Sequence, residues 1–201
     1  MTAAKDWSVA IMGPVGSGKT TVVRTASDIA TVDTEVRLSA SGEGDKPTTT
    51  VAMDMGTLEL GEGARVRLLG APGQARFDYM WDILLAQARA AIVLVDGTAA
   101  DAERQLQHYL AQVTQRTVAR GRALSAVLIG ITRADRGQAV ELERFRLRTR
   151  AGDCPCSVCQ PPVVAVDTRD RGSVARLLLV ATALLEMSER FPEAALHERL
   201  G

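Results

Sequence analysis

The chain has 201 residues, 46% of them apolar, which suffices to bury one substantial core and is cramped for two. Its 24 basic and 24 acidic residues cancel, so no global field draws it to nucleic acid or to an acidic membrane face. Residues 1–12 lack a basic start before a long apolar run, and no later apolar stretch reaches the roughly 18 residues that span a bilayer, which points to a cytoplasmic address.

The first apolar run, Trp7 to Met12, is nearly continuous, as expected of a strand buried on both faces of a parallel sheet. It leads straight into Gly13-Pro14-Val15-Gly16-Ser17-Gly18-Lys19-Thr20, which satisfies G-x-x-x-x-G-K-[ST] between a strand and a helix. Glycines at such a junction let successive backbone N–H groups turn inward around phosphate oxygens, at the positive end of a helix. Lys19 supplies a point charge toward the β- and γ-phosphates, and the Thr20 hydroxyl is placed to hold Mg²⁺. Gly13, Val15, Gly16, Ser17, Gly18, Lys19, Thr20 and Thr21 are therefore the expected phosphate-binding residues. The chain has only three lysines, Lys5, Lys19 and Lys46, so composition alone does not explain one here.

Loop-like composition fills Ser39 to Thr49. Beyond it Thr50 to Leu60 alternates, and Arg65 to Leu69 follows across Gly61-Glu62-Gly63, which predicts a β-hairpin on one edge of the sheet. Further strands are expected at Ala90 to Val95, Ala126 to Ile131 and Val163 to Val166. Leu106, Tyr109, Leu110 and Val113 recur at helical spacing, as do Val174, Leu177, Leu178, Ala181 and Leu185, which predicts crossover helices. The sum is a three-layer α/β fold with a mostly parallel six-stranded sheet and one antiparallel edge strand, in a single domain over residues 1–201.

Four further segments stand in a familiar order: Lys46 to Asp54, Leu68-Leu69-Gly70-Ala71-Pro72-Gly73-Gln74, Thr132-Arg133-Ala134-Asp135 and Asp167-Thr168-Arg169. Together with the Gly-rich loop they make the chain resemble the Ras-like small GTPases over roughly residues 7–185. The resemblance is greatest to the bacterial and archaeal branch that includes the gliding-motility polarity GTPases and the actinobacterial GTPases encoded with Roadblock-type partners. It implies a P-loop NTPase G domain that binds GTP/GDP with Mg²⁺ and hydrolyses GTP as a regulatory switch.

By that resemblance Thr50 reports the γ-phosphate and Mg²⁺ from the first switch, with Thr48 or Thr49 as alternatives. The Gly73 amide would meet the γ-phosphate and Gln74 would orient the attacking water, alongside Lys19. The family's Asp at the start of this second motif is Gly70 here, which removes a negative charge near the metal and predicts weaker Mg²⁺ dependence. Asp135 carries the choice of base, since its two acceptor oxygens match the N1–H and N2–H₂ donors of guanine, which adenine lacks. Thr132 is shorter than the family's Asn, Arg133 takes the place of the Lys over the base, and a backbone amide near Thr168 would contact the guanine oxygen.

The implied partners are guanine nucleotide and a Roadblock-type regulatory dimer that completes a slow site, since no arginine is obviously placed as a finger. Neither Met1-Thr2 nor the closing His197-Glu198-Arg199-Leu200-Gly201 is a lipidation signal, so membrane recruitment would go through a partner. The alternative is a nucleotide-holding scaffold without useful turnover. Remaining features read as structural. Asp96 ends a strand before the turn Gly97-Thr98. Arg144, Arg146, Arg148 and Arg150, flanked by Glu141, Glu143 and Asp153, read as a solvated helix face rather than a nucleic-acid stripe. Cys154, Cys156 and Cys159 are one ligand short of a closed zinc site, with His108 and His197 far off in sequence, and read as a reduced surface loop.

Overall fold

A computed structural model describes residues 5–28, 32–38, 49–119, 124–134, 142–149 and 157–191. Seven strands make one sheet: β1 (Asp6–Met12), β2 (Val32–Leu38), β3 (Thr49–Gly61), β4 (Ala64–Gly70), β5 (Ala90–Asp96), β6 (Ala126–Thr132) and β7 (Val163–Val166). Their order across the sheet is β2-β3-β4-β1-β5-β6-β7. β3 runs antiparallel to both of its neighbours, and the remaining pairings are parallel.

The continuous apolar runs become the central strands because both faces of the sheet are covered. Val9 and Ile11 of β1 face a layer made by α1 (Lys19–Ala26) and α5 (Arg171–Arg190), where Val22, Val23, Leu177 and Leu185 are buried. Ala10 and Met12 face the opposite layer, formed by α2 (Tyr79–Gln87), α3 (Ala102–Val118) and α4 (Leu142–Thr149), which buries Trp81, Leu106 and Phe145. All five apolar positions read as the face of the last helix are buried in α5. That helix is capped by Asp170, whose carboxylate accepts from the Ser173 amide at 2.7 Å.

The six expected strands are present, and a seventh lies outside them. β2 pairs antiparallel with β3 from Val32↔Met55 to Leu38↔Thr49, so the hairpin of β3 and β4 lies one strand in from the edge. Val32-Asp33-Thr34-Glu35-Val36-Arg37-Leu38 alternates with period two, the pattern of a strand at a sheet margin. Its charges at every second position mask it in a search for apolar runs.

The parallel strands β1, β5, β6 and β7 end on the same side of the sheet, which gathers Gly13, Asp96, Thr132 and Asp167 along one rim. In open α/β sheets this carboxyl edge is where ligands bind. No described helix is long and apolar enough to cross a membrane.

Candidate functional site

The loop from β1 to α1 is held in one shape by its backbone. Gly13 has φ 143°, and a Cβ there would stand 2.2 Å from the Leu94 carbonyl oxygen of the neighbouring strand, so only glycine fits. Ser17 is buried and its amide donates to the Pro14 carbonyl at 3.3 Å. α1 begins at Gly18, φ 95°, with no side chain capping its first turn. Its leading amides are therefore left for another acceptor, the arrangement that suits an anion.

Lys19 lies buried across this loop, donating to the Pro14 carbonyl at 2.6 Å and to Ser17 Oγ at 3.4 Å. Burial pulls its ammonium down from 10.5 to about 8, against the opposing pull of the Asp54 charge. An ammonium held in this condition gains from a polyanion brought beside it. The next residue, Thr20, donates its hydroxyl to Asp54 Oδ2.

Asp54, to which the motifs assign no role, places a carboxylate beside the Thr20 hydroxyl, next to the position of Gly70. The two residues are register partners across β3 and β4. A Cβ built on Gly70 would lie 2.9 Å from the Asp54 Cβ and 3.4 Å from its Oδ2. The glycine makes room for the neighbouring strand's carboxylate, so a negative oxygen stands beside Thr20 after all.

The segment after β4 closes the phosphate end. A Cβ on Gly73 would fall 2.8 Å from both Lys19 Nζ and the Val15 amide nitrogen, which packs this stretch directly on the glycine-rich loop. Gln74 is exposed, and its carbonyl accepts from the Phe77 amide at 3.0 Å in the 3-10 turn Ala75–Phe77.

At the other end, Thr132 is buried and donates to the Val95 carbonyl at 3.3 Å. Arg133 takes φ 55°, costly for a residue with a Cβ, and is held there by an ion pair to Asp96 and a 3.3 Å hydrogen bond to the Gly16 carbonyl. Burial would push the Asp96 carboxyl up, but the Thr98 hydroxyl and amide and the Arg133 guanidinium outweigh it and hold it below the usual carboxylate range. Asp96 thus forms the strand-ending turn expected of it and also steadies Arg133. Thr168 accepts at its carbonyl from Thr25 Oγ1 at 2.8 Å, and its methyl would lie 2.8 Å from a Cβ on Gly18.

Residues 16–21, 132–133 and 167–169 line one cavity of about 400 Å³, with Asp54 and Gly73 adjoining it through Thr20 and Lys19. Gly16, Ser17, Gly18, Lys19, Thr20, Thr21, Thr132, Arg133 and Thr168 therefore meet as the motifs imply. Val15 is 70% exposed and does not line the cavity. Asp135 and Thr48 lie outside the described residues, as does the side chain of Thr50. The Thr50 backbone belongs to β3 opposite Arg37, four residues and about 13 Å along the strand from Asp54. Cys159 is a buried thiol rather than a surface one, while Cys154 and Cys156 lie outside the described residues. No cluster of three or more His, Cys, Asp or Glu that could hold a metal occurs among the described residues. Arg144 binds the Gly97 carbonyl at 3.1 Å and Arg146 pairs with Glu143 at 3.0 Å, while Phe145 between them is buried.

No protein-family model and no curated protein sequence matches the chain. Among solved structures it is similar to translation elongation factor SelB from Methanococcus maripaludis in complex with the GTP analogue GppNHp. The match has a TM-score of 0.63 and 16% identity, and covers 92% of this chain but only 35% of that one. At that identity the likeness speaks to architecture: the chain has the α/β fold of a P-loop G domain.

Proposed function

We propose that the protein is a guanine-nucleotide switch that binds GTP and hydrolyses it to GDP and phosphate. The observation that carries this reading is one cavity with Lys19 and Thr20 at one end and Thr132, Arg133 and Thr168 at the other, with Asp54 bonded to Thr20 and Gly73 packed on Lys19 beside it. The first group suits a polyphosphate and the second a base, and SelB, similar in fold over 35% of its chain, is in complex with a GTP analogue. Residues 13–20 bind the phosphates through backbone amides and Lys19, and Asp135 selects guanine. Gly73 donates its amide to the γ-phosphate, and Gln74 orients water.

Thr20 and Asp54 present a hydroxyl and a carboxylate in contact, a pair of hard oxygen donors that fits Mg²⁺. Bound there, the ion would neutralise charge on the terminal phosphates. Thr50 would join them only if the start of β3 moves toward the nucleotide, which makes β2 and β3 the switching element. The cavity's arginines, Arg133 and Arg169, stand at the base end. The charge that speeds hydrolysis therefore comes from a partner, by resemblance a Roadblock-type dimer, which also supplies any route to a membrane.

The test is the nucleotide retained by the purified chain, followed by phosphate release with and without such a partner. Gln74→Leu should abolish stimulated release and Thr20→Asn should weaken triphosphate binding. A second reading, a nucleotide-holding scaffold, draws support from the exposed Gln74. It is favoured if GTP binds tightly and no condition yields phosphate.

A further inference from the structure

Next to the phosphate end, α2 and α3 share a buried cluster that the proposed chemistry does not use. Trp81 of α2 is only 2% exposed, and its indole N–H donates to the Pro72 carbonyl at 3.0 Å. Tyr109 of α3 packs on that indole, ring centroids 5.2 Å apart, and its hydroxyl donates to the Gly73 carbonyl at 3.4 Å. Arg116, one helical turn pair further along α3, lies over the other part of the Trp81 ring at 5.5 Å. Its guanidinium pairs with Asp82 of α2 at 2.5 Å and with Asp78, the residue just before α2, at 3.2 Å. Two consecutive carbonyls, those of Pro72 and Gly73, are thereby tied to side chains from two different helices. The same Gly73 packs against Lys19 Nζ and the Val15 amide on its far side.

Resting on the nucleotide reading above, we propose that Trp81, supported by Tyr109 and Arg116, is a positioning residue that sets Gly73 for the terminal phosphoryl group and so discriminates nucleoside triphosphate from diphosphate. A loop already fixed against Lys19 loses little conformational entropy when a γ-phosphate arrives alongside the two, whereas a free loop must be ordered at the expense of affinity. A diphosphate ends short of Gly73 and is indifferent to the pin. The indole N–H acts through the Pro72 carbonyl and touches no substrate.

The experiment compares three variants of the full chain: Trp81→Phe, Tyr109→Phe and Trp7→Phe. Trp7 is the control, an equally buried indole whose N–H donates to Glu189 at 2.8 Å and which belongs to the β1 and α5 packing. Dissociation constants for a non-hydrolysable GTP analogue and for GDP are measured at millimolar Mg²⁺ with fluorescently labelled nucleotides. Trp81→Phe should weaken analogue binding about fivefold, the factor of one net hydrogen bond, and leave GDP binding unchanged. Tyr109→Phe should shift the ratio in the same direction by about twofold, since its hydrogen bond is longer, and because it deletes only a hydroxyl it keeps the test open if Trp81→Phe folds poorly. Trp7→Phe should lower the melting temperature without moving the ratio. Equal effects on both nucleotides, an unchanged ratio in Trp81→Phe and Tyr109→Phe, tighter analogue binding, or the same ratio shift in Trp7→Phe would each overturn the proposal while leaving the nucleotide site standing. Absence of guanine-nucleotide binding by the unaltered chain would overturn both.

Discussion

Moving the carboxylate beside Thr20 from one strand to its neighbour is the sharpest perturbation the site offers. Gly70→Asp places a second carboxylate into a position already filled, with its Cβ 2.9 Å from the Asp54 Cβ. Two carboxylates there repel with a Coulomb energy of about 4 kcal/mol at 4 Å and an effective dielectric of 20, before any steric shift. We expect urea unfolding without Mg²⁺ to register a loss of about 2–4 kcal/mol, the repulsion softened as the side chains turn apart. Asp54→Asn keeps an acceptor for Thr20 but removes the charge, and should lower Mg²⁺ affinity in the GDP complex by about 10- to 100-fold. The exchange Asp54→Gly with Gly70→Asp restores a single carboxylate in the same space. It should recover most of the stability lost in Gly70→Asp, short by about 1 kcal/mol for a glycine within β3, and should regain Mg²⁺ dependence. The coupling read from this double-mutant cycle should reach about 1–3 kcal/mol. A Gly70→Asp chain as stable as the parent, or an Asp54→Asn chain with unaltered Mg²⁺ dependence, would refute the exchange of roles between the two strands.

Lys19 makes stability depend on pH in the nucleotide-free chain. Its folded value of about 8 lies below the ordinary 10.5, so between these the unfolded chain holds more protons and stability rises with pH, by up to about 3 kcal/mol; Lys19→Met should flatten that rise in denaturant titrations from pH 7.5 to 9.5. Gly13→Ala forces a Cβ to within 2.2 Å of a β5 carbonyl oxygen and should cost about 3 kcal/mol, seen as a lower urea midpoint with unchanged slope. Asp170→Ala removes the cap of α5 and should cost about 1 kcal/mol in the same assay.

Much of this architecture could be read from residue order because the relevant signals are local. The strands β1, β5, β6 and β7 are nearly unbroken apolar runs, interrupted inside only by Ser8, and are legible within a residue of their ends because the central strands are buried on both faces. The glycine-rich loop carries its own geometry in Gly13 and Gly18. Asp54 was hidden for a different reason. Counting back from the hairpin's closing pair, Gly61↔Ala64, sets Asp54 opposite Ala71, but an irregularity between Glu59 and Gly61 shifts the register and brings Gly70 opposite instead. A one-residue slip decides which side chains share a face, and nothing in the local composition announces it. The Trp81 and Tyr109 pair was likewise invisible as a pair: each falls on an apolar helical face, and only the packing of α2 on α3 brings the indole N–H and the phenol to one loop.

The Asp54 and Gly70 pair also bears on what a missing motif residue means. The proposed phosphate site calls for a negative oxygen at a place in space, beside the hydroxyl that follows the loop lysine, and the fold brings two strands to that place. A Cβ on Gly70 would lie only 2.9 Å from that of Asp54, closer than facing strand residues usually stand, so both positions point into one small volume beside Thr20 and only one can carry the carboxylate without a clash and repulsion. Gly70 taken alone reads as the loss of a metal-site charge. Taken with its cross-strand partner it is the space that Asp54 requires, and it gives no ground for expecting a crippled site. Where a G domain lacks the usual acid at the end of this strand, the residue opposite in the antiparallel neighbour is the one to inspect before the protein is judged inactive.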